Sequence, residues 1–208
     1  LVVLIDRHGG YSTEPAGAIT RGNILNTVVH SFDDAILLAE GEIIGTVANI
    51  DDQDIFLIAP TVSGGEYVTT GNVVIKSYSD ITGEGDVVGI SVDAGGSVFV
   101  DTGVGGDVEG SMIDAGGNVA IGVAIAYSVA DPENPVITFN PTLYDDTTNP
   151  AEVAAFFALA QGAARNIIDV GINAGGNVLL YAHEEIDGTD VTAVDDIDAN
   201  AGTGIVST

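Results

Sequence analysis

One four-residue phrase constrains this chain more than any other feature. Asp93-Ala94-Gly95-Gly96, Asp114-Ala115-Gly116-Gly117 and Asn173-Ala174-Gly175-Gly176 each sit between two apolar, β-branched runs. Before the first copy, Ile90 and Val92 share one side of the chain and Ser91 and Asp93 the other. Past the glycines, Val98 and Val100 alternate with Ser97, Phe99 and Asp101. Period two is the repeat of a strand with one buried face. Asp or Asn at the head of a turn can bond its own backbone two residues on, and paired glycines supply positive φ without a Cβ clash. Each copy therefore reads as strand, tight turn, strand.

Two arrangements of that unit compete. Four-residue loops commonly close hairpins around a type I turn. On this reading the fold is all-β, an antiparallel β-sandwich of jelly-roll kind with one helix at about 150–166, forming a single β-rich domain over residues 1–208. The alternative rests on spacing. Gly-(Asn/Ser)-Val pieces begin at Gly71, Gly96, Gly117 and Gly176, so that two short intervals precede a long one. Each short interval suits one coil of a parallel β-solenoid, and the long one could hold three coils. The phrases DAGGNVAI and NAGGNVLL resemble the coil motif of filamentous-haemagglutinin-type secreted adhesins, over about a third of the chain. The resemblance implies a right-handed parallel β-solenoid. Irregular spacing and an inserted helix place the sandwich first.

Charge narrows the setting. The chain has 31 acidic residues against Arg7, Arg21, Lys76 and Arg165, a formal net charge of −27. Nucleic acid and anionic membranes both require cationic contacts, so neither is an expected partner. Most carboxylates must face water, in high salt that screens them or with divalent cations such as Ca²⁺. Two clusters are candidate cation ligands: Asp51, Asp52 and Asp54 in one turn, and Asp195, Asp196 and Asp198 in the acidic tail. Neither has the glycine and distal glutamate of an EF-hand loop. With no cysteine, disulfides and thiolate chemistry are excluded. No apolar run reaches the length of a membrane helix, about 18 residues. The chain opens on Leu1 rather than Met, as a mature secreted protein or a fragment would.

Leu1-Val2-Val3-Leu4-Ile5 is apolar throughout, the pattern of a strand buried on both faces. It can be a strand of its own domain or a donor strand that completes a neighbouring copy, with residues 1–10 as the extension. Further strands are expected at Ile24–Val29, Ala35–Ala39, Ile43–Ile50, Ile55–Ala59, Tyr67–Thr70 and Val73–Ser77, with a third hairpin at Ile167–Ala182. Asn149 is a good helix N-cap, Pro150 suits the first helical position, and Val153, Phe156, Phe157 and Ala160 give an apolar face for a sheet.

Catalytic signatures are missing. His8, His30 and His183 stand in no nucleophile motif. His183-Glu184-Glu185 lacks a second histidine for a metal, and the glycine run 103–106 lacks the Gly-Lys-Ser/Thr of a phosphate loop. The expected function is therefore structural and non-enzymatic: a secreted or cell-surface protein that self-assembles into a filament, tube or sheath by strand addition between copies, bridged by cations. Two alternatives stand beside it, a solenoid stalk segment of a large surface adhesin and a salt-adapted extracellular hydrolase using paired carboxylates.

Overall fold

The computed structural model describes residues 16–20, 22–32, 34–51, 53–77, 85–125, 127–128, 136–137, 139–160 and 164–206. The chain winds as a parallel β-solenoid. Each coil places one strand on each of three faces; in the second coil these are Ala35–Ala39, Glu42–Ile44 and Val47–Ile50. Every coil strand pairs in parallel with its counterpart one coil away. On the first face, residues 16, 35, 55, 73, 98, 119, 178 and 197 form one column. On the second face the column is 24, 43, 62, 87, 108, 167, 186 and 205. On the third it is 29, 48, 67, 92, 113, 172 and 191. The described residues thus make eight coils, the eighth described on two faces. The ten-residue strand Val178–Asp187 runs across a corner and joins the first two faces into one 15-stranded sheet; the third face is a separate sheet of seven strands.

This overturns the antiparallel sandwich. Val98–Asp101 does not fold back on Ser91–Ala94 across the Gly-Gly turn. It pairs with Val73–Ser77 and Val119–Ile121, while Ser91–Ala94 pairs with Glu66–Thr69 and Met112–Ala115. Each turn is a corner of a coil, and a corner and a hairpin loop demand the same local chemistry. The supposed third hairpin is likewise three strands on three faces: Ala164–Ile168, Gly171–Ala174 and the start of Val178–Asp187. First-face steps are of similar length with one exception, from Val119 to Val178. That long step is one coil with an insertion between Ile121 and Ala164, not three coils. Within the insertion lies the one antiparallel pair among the described strands, Tyr127–Ser128 with Val136–Ile137.

Stacking in register sets like residues on like. Val73, Val98, Val119 and Val178 are fully buried in one column, and Ile24, Ile43, Val62, Val87, Val108 and Ile167 in another. Branched side chains suit this pleated packing, and burying each contributes about 1.5–3 kcal/mol. The corner between second and third faces is also a column, Asn26, Gly45, Gly64, Gly89, Gly110, Asp169 and Gly188, all at positive φ. Asn and Asp, the L-residues that tolerate this region best, fill it where glycine does not.

The Gly-Gly corners work differently from the expectation. None of Gly95, Gly96, Gly116, Gly117, Gly175 and Gly176 has positive φ. What they supply is closeness between coils. A Cβ at Gly95 would stand 2.5 Å from the Thr70 carbonyl oxygen, and one at Gly116 2.2 Å from that of Gly95.

One core position breaks the pattern of small and branched residues. Tyr67 occupies the third-face column between Ala48 and Val92, where Ala48 and Gly65 leave it room. Its hydroxyl is buried with no hydrogen-bond partner, and burial pushes its ionisation above the ordinary tyrosine value. An orphaned buried hydroxyl costs about 1–3 kcal/mol. Tyr67→Phe is expected to raise stability by about 1 kcal/mol, read as a higher denaturant midpoint at unchanged slope.

The first face is apolar on its outer side as well. Phe56, Val74, Phe99, Ala120 and Leu179 form a second core with Val123, Ile125 and Phe156 of the insertion. Phe139 meets Phe99 edge-on at 5.0 Å and stacks on Tyr144 at 5.6 Å. The helix is Pro150–Phe157, shorter than the expected 150–166, with Asn149 as its cap and Phe156 as its buried residue. It stops early because the chain must return to the second face, where the Arg165 amide bonds the Gly106 carbonyl at 2.7 Å.

Candidate functional site

The most organised polar feature is a ladder at the corner before the first face. Its column is Asp34, Asp54, Asn72, Ser97, Asn118, Asn177 and Asp196, each immediately ahead of a first-face strand. Each side-chain oxygen, up to that of Asn177, accepts the backbone N–H of the next rung. Asp34 accepts from Asp54 at 3.0 Å, Asp54 from Asn72 at 2.7 Å and Asn72 from Ser97 at 2.7 Å. Ser97 accepts from Asn118 at 3.0 Å, Asn118 from Asn177 at 2.7 Å and Asn177 from Asp196 at 3.3 Å. A turned backbone leaves these amides without a ladder partner, and the side chains supply one.

The insertion is fastened to this ladder and to two ion pairs. Asn118 donates through Nδ2 to the Tyr144 carbonyl, and Asn72 through Nδ2 to Asp145 at 3.4 Å. Where the insertion leaves the coil, the buried carboxylate of Asp101 takes Lys76 Nζ at 2.6 Å and the Ile125 amide at 2.7 Å. Where it returns, Arg165 pairs with Asp107. Lys76 and Arg165 are the two Lys or Arg residues that the described segments contain, so both serve the insertion. Beside it lies an open cleft of about 320 Å³, lined by Ala124, Phe139, Leu143, Tyr144, Leu159 and neighbouring alanines, with Asn140 as its polar member.

Burial raises the Asp54 carboxyl above the ordinary value of 3.8, helped by Asp34 and Asp145 and opposed by hydrogen bonds from Asn72. Burial also raises Asp145. Both hold a proton more readily folded than unfolded. Their contribution favours the fold most near and below pH 3.8 and is lost as pH rises through the raised folded values. Exposed Asp146 has the opposite sign: hydrogen bonds from Thr148 lower it, so its contribution is lost only on further acidification. Asp54→Asn keeps the acceptor, as Asn72, Asn118 and Asn177 do in the same column, and removes the charge. It is expected to stabilise the fold at neutral pH, with the gap to wild type closing as pH falls towards the carboxylate range. A gap independent of pH in urea melts would contradict the assignment.

Asp51 is exposed on the corner, Asp52 lies outside the described residues, and Asp54 is spent on Asn72. Asp196 ends the ladder, Asp195 precedes it and Asp198 points outward from the last first-face strand; all three are exposed. No group of three or more His, Cys, Asp or Glu among the described residues is arranged to hold a metal ion. Carboxylates do stack: Asp93 and Asp114 are adjacent on the outer third face, and Asn173 donates to Asp114 at 3.1 Å. Leu1–Ile5 and His8 lie outside the described residues, while His30 and His183 are exposed. No helix among the described residues is long and apolar enough to cross a membrane. The chain matches no family model, no curated protein and no solved structure.

Proposed function

We propose that this chain is a stalk segment of a large extracellular surface adhesin, a β-solenoid that spaces and presents other parts of the protein and performs no catalysis. One observation carries the reading. The same core columns run through every described coil and arrive at the last one open, with Ile197 at 51% and Ile205 at 55% exposure where their counterparts Val178 and Ile186 are buried. A further coil in register would close them. The charge distribution supports the same role, because carboxylates ranked along the outside would collect salt cations or Ca²⁺ and keep the rod soluble. A hydrolase would need paired carboxylates facing a groove, and the cleft beside the insertion is lined by apolar groups and one amide.

The test is the encoding transcript together with surface labelling. A reading frame much longer than 208 residues, with the columns continuing, and antibody labelling of intact cells are expected. A short frame whose product stays inside the cell would overturn the proposal.

A further inference from the structure

A plain solenoid couples each coil to its two neighbours and no further. The insertion leaves the rod within the sixth coil, between Ile121 and Ala164, yet it touches coils on both sides of that root. It meets the fourth coil twice: Asn72 Nδ2 donates to Asp145 at 3.4 Å, and Lys76 Nζ donates to the Ile125 carbonyl at 2.9 Å. It meets the fifth through Asp101, which accepts the Ile125 amide, and through Phe99, which lies 5.0 Å from Phe139 and 5.7 Å from Tyr144. At the start of the sixth coil, Asn118 donates to the Tyr144 carbonyl. At the corner that opens the seventh, a Cβ on Gly176 would stand 2.5 Å from the Thr147 methyl group, so Thr147 lies against that corner.

The rod is shaped for this partner over a limited length. From the third coil to the eighth, one outward column of the first face runs Phe56, Val74, Phe99, Ala120, Leu179 and Asp198. The five apolar members point away from the coil interior and are still buried, at 8% exposure or less. Asp198 is exposed, so the apolar track ends with the seventh coil. Val123, Ile125 and Phe156 of the insertion complete the core that these five residues form. We infer that the insertion is a brace that locks the fourth to seventh coils into one unit, so that they open together and the rod yields first outside them.

Ties between coils that are not neighbours are what a row of neighbour interfaces lacks. The insertion supplies them along about 14 Å of the rod, three steps at strand spacing. Parting any two of these coils therefore breaks bonds to the insertion as well as the strand ladder between them. The brace goes beyond the stalk reading and stands without it.

Hydrogen exchange of the full 208-residue protein under native conditions tests the lock. Ile186 sits in the core of the seventh coil at 3% exposure. Ile186→Ala should lower the protection of residues 178–180 by roughly thirtyfold or more. It should lower that of Val73–Ser77, three coils away, by the same factor. Phe156→Ala takes from the insertion its fully buried helix residue. In that background the effect of Ile186→Ala should shrink to the sixth to eighth coils and leave Val73–Ser77 as it is in Phe156→Ala alone. An Ile186→Ala effect confined to neighbouring coils in the otherwise wild-type chain would overturn the inference. So would an effect on Val73–Ser77 that persists when residue 156 is alanine. Pulling on the wild-type chain by its two ends reads the lock without any variant. The fourth to seventh coils should leave in one step, and four separate steps would also overturn the inference. Any of these failures leaves the stalk reading standing, since an unbraced rod can still space and present what it carries.

Discussion

Gly116→Val is expected to cost about 3–5 kcal/mol, a large share of the roughly 5–15 kcal/mol that holds an ordinary domain folded. The added Cβ would stand 2.2 Å from the Gly95 carbonyl oxygen, and that oxygen belongs to a backbone held by its own coil. No side chain can swing away. Relief requires the two coils to part at this corner, and parting stretches two inter-coil bonds, Gly116 N–H to the Ala94 carbonyl at 2.8 Å and Gly117 N–H to the Gly96 carbonyl at 2.9 Å. Overpacking costs about 1–3 kcal/mol and each lost bond about 1 kcal/mol. Gly64 supplies the contrast. It has nothing within 4 Å of its missing Cβ and needs only positive φ, at +53°. Gly64→Asn copies Asn26 in the same column, so it should stay within about 1 kcal/mol of wild type. Denaturant melts of the two variants would decide the matter. Equal losses would mean that inter-coil approach is not what these glycines provide.

That contrast also shows why the strands were readable and their partners were not. Ala35–Ala39, Ile55–Ala59 and Val73–Ser77 fall where alternation and turn residues place them. Pairing is a relation between positions a full coil apart, and no local pattern contains it. Glycine pairs pointed to positive φ because a lone turn needs it; only stacked coils make closeness the stronger demand. The evidence for stacking lay in the residue preceding each first-face strand. Asp34, Asp54, Asn72, Ser97, Asn118, Asn177 and Asp196 are all short hydrogen-bonding side chains, and aligning them gives the register without any motif search. The acidic stretches show the same limit of local pattern. Asp51, Asp52 and Asp54 are neighbours in sequence, but a corner turns Asp54 towards Asn72 and leaves Asp51 in solvent. Lys76 and Asp101, distant in sequence, become close because they share a first-face position one coil apart.

Asn118→Ala should be the most damaging change in the ladder, at about 3–5 kcal/mol. Asn118 is almost fully buried, and its Oδ1 accepts two hydrogen bonds from Asn177, one from the backbone at 2.7 Å and one from Nδ2 at 3.0 Å. Its Nδ2 serves the Tyr144 carbonyl. Alanine leaves all three partners without it, in a place closed to water, and each buried group so orphaned costs about 1–3 kcal/mol. The damage should reach two structures at once. The sixth and seventh coils lose a rung, and the insertion loses the contact that seats Tyr144 against Phe99 and Phe139. Asn177→Ala separates these effects. It removes the 3.3 Å bond from the Asp196 amide, and the bonds of Asn177 run to Asn118 and Asp196 rather than to the insertion. Hydrogen exchange should therefore show residues 139–160 losing protection in the Asn118 variant and keeping it in the Asn177 variant. Equal exchange of that segment in both would mean that the aromatic contacts alone hold the insertion down and that the ladder serves only the coils.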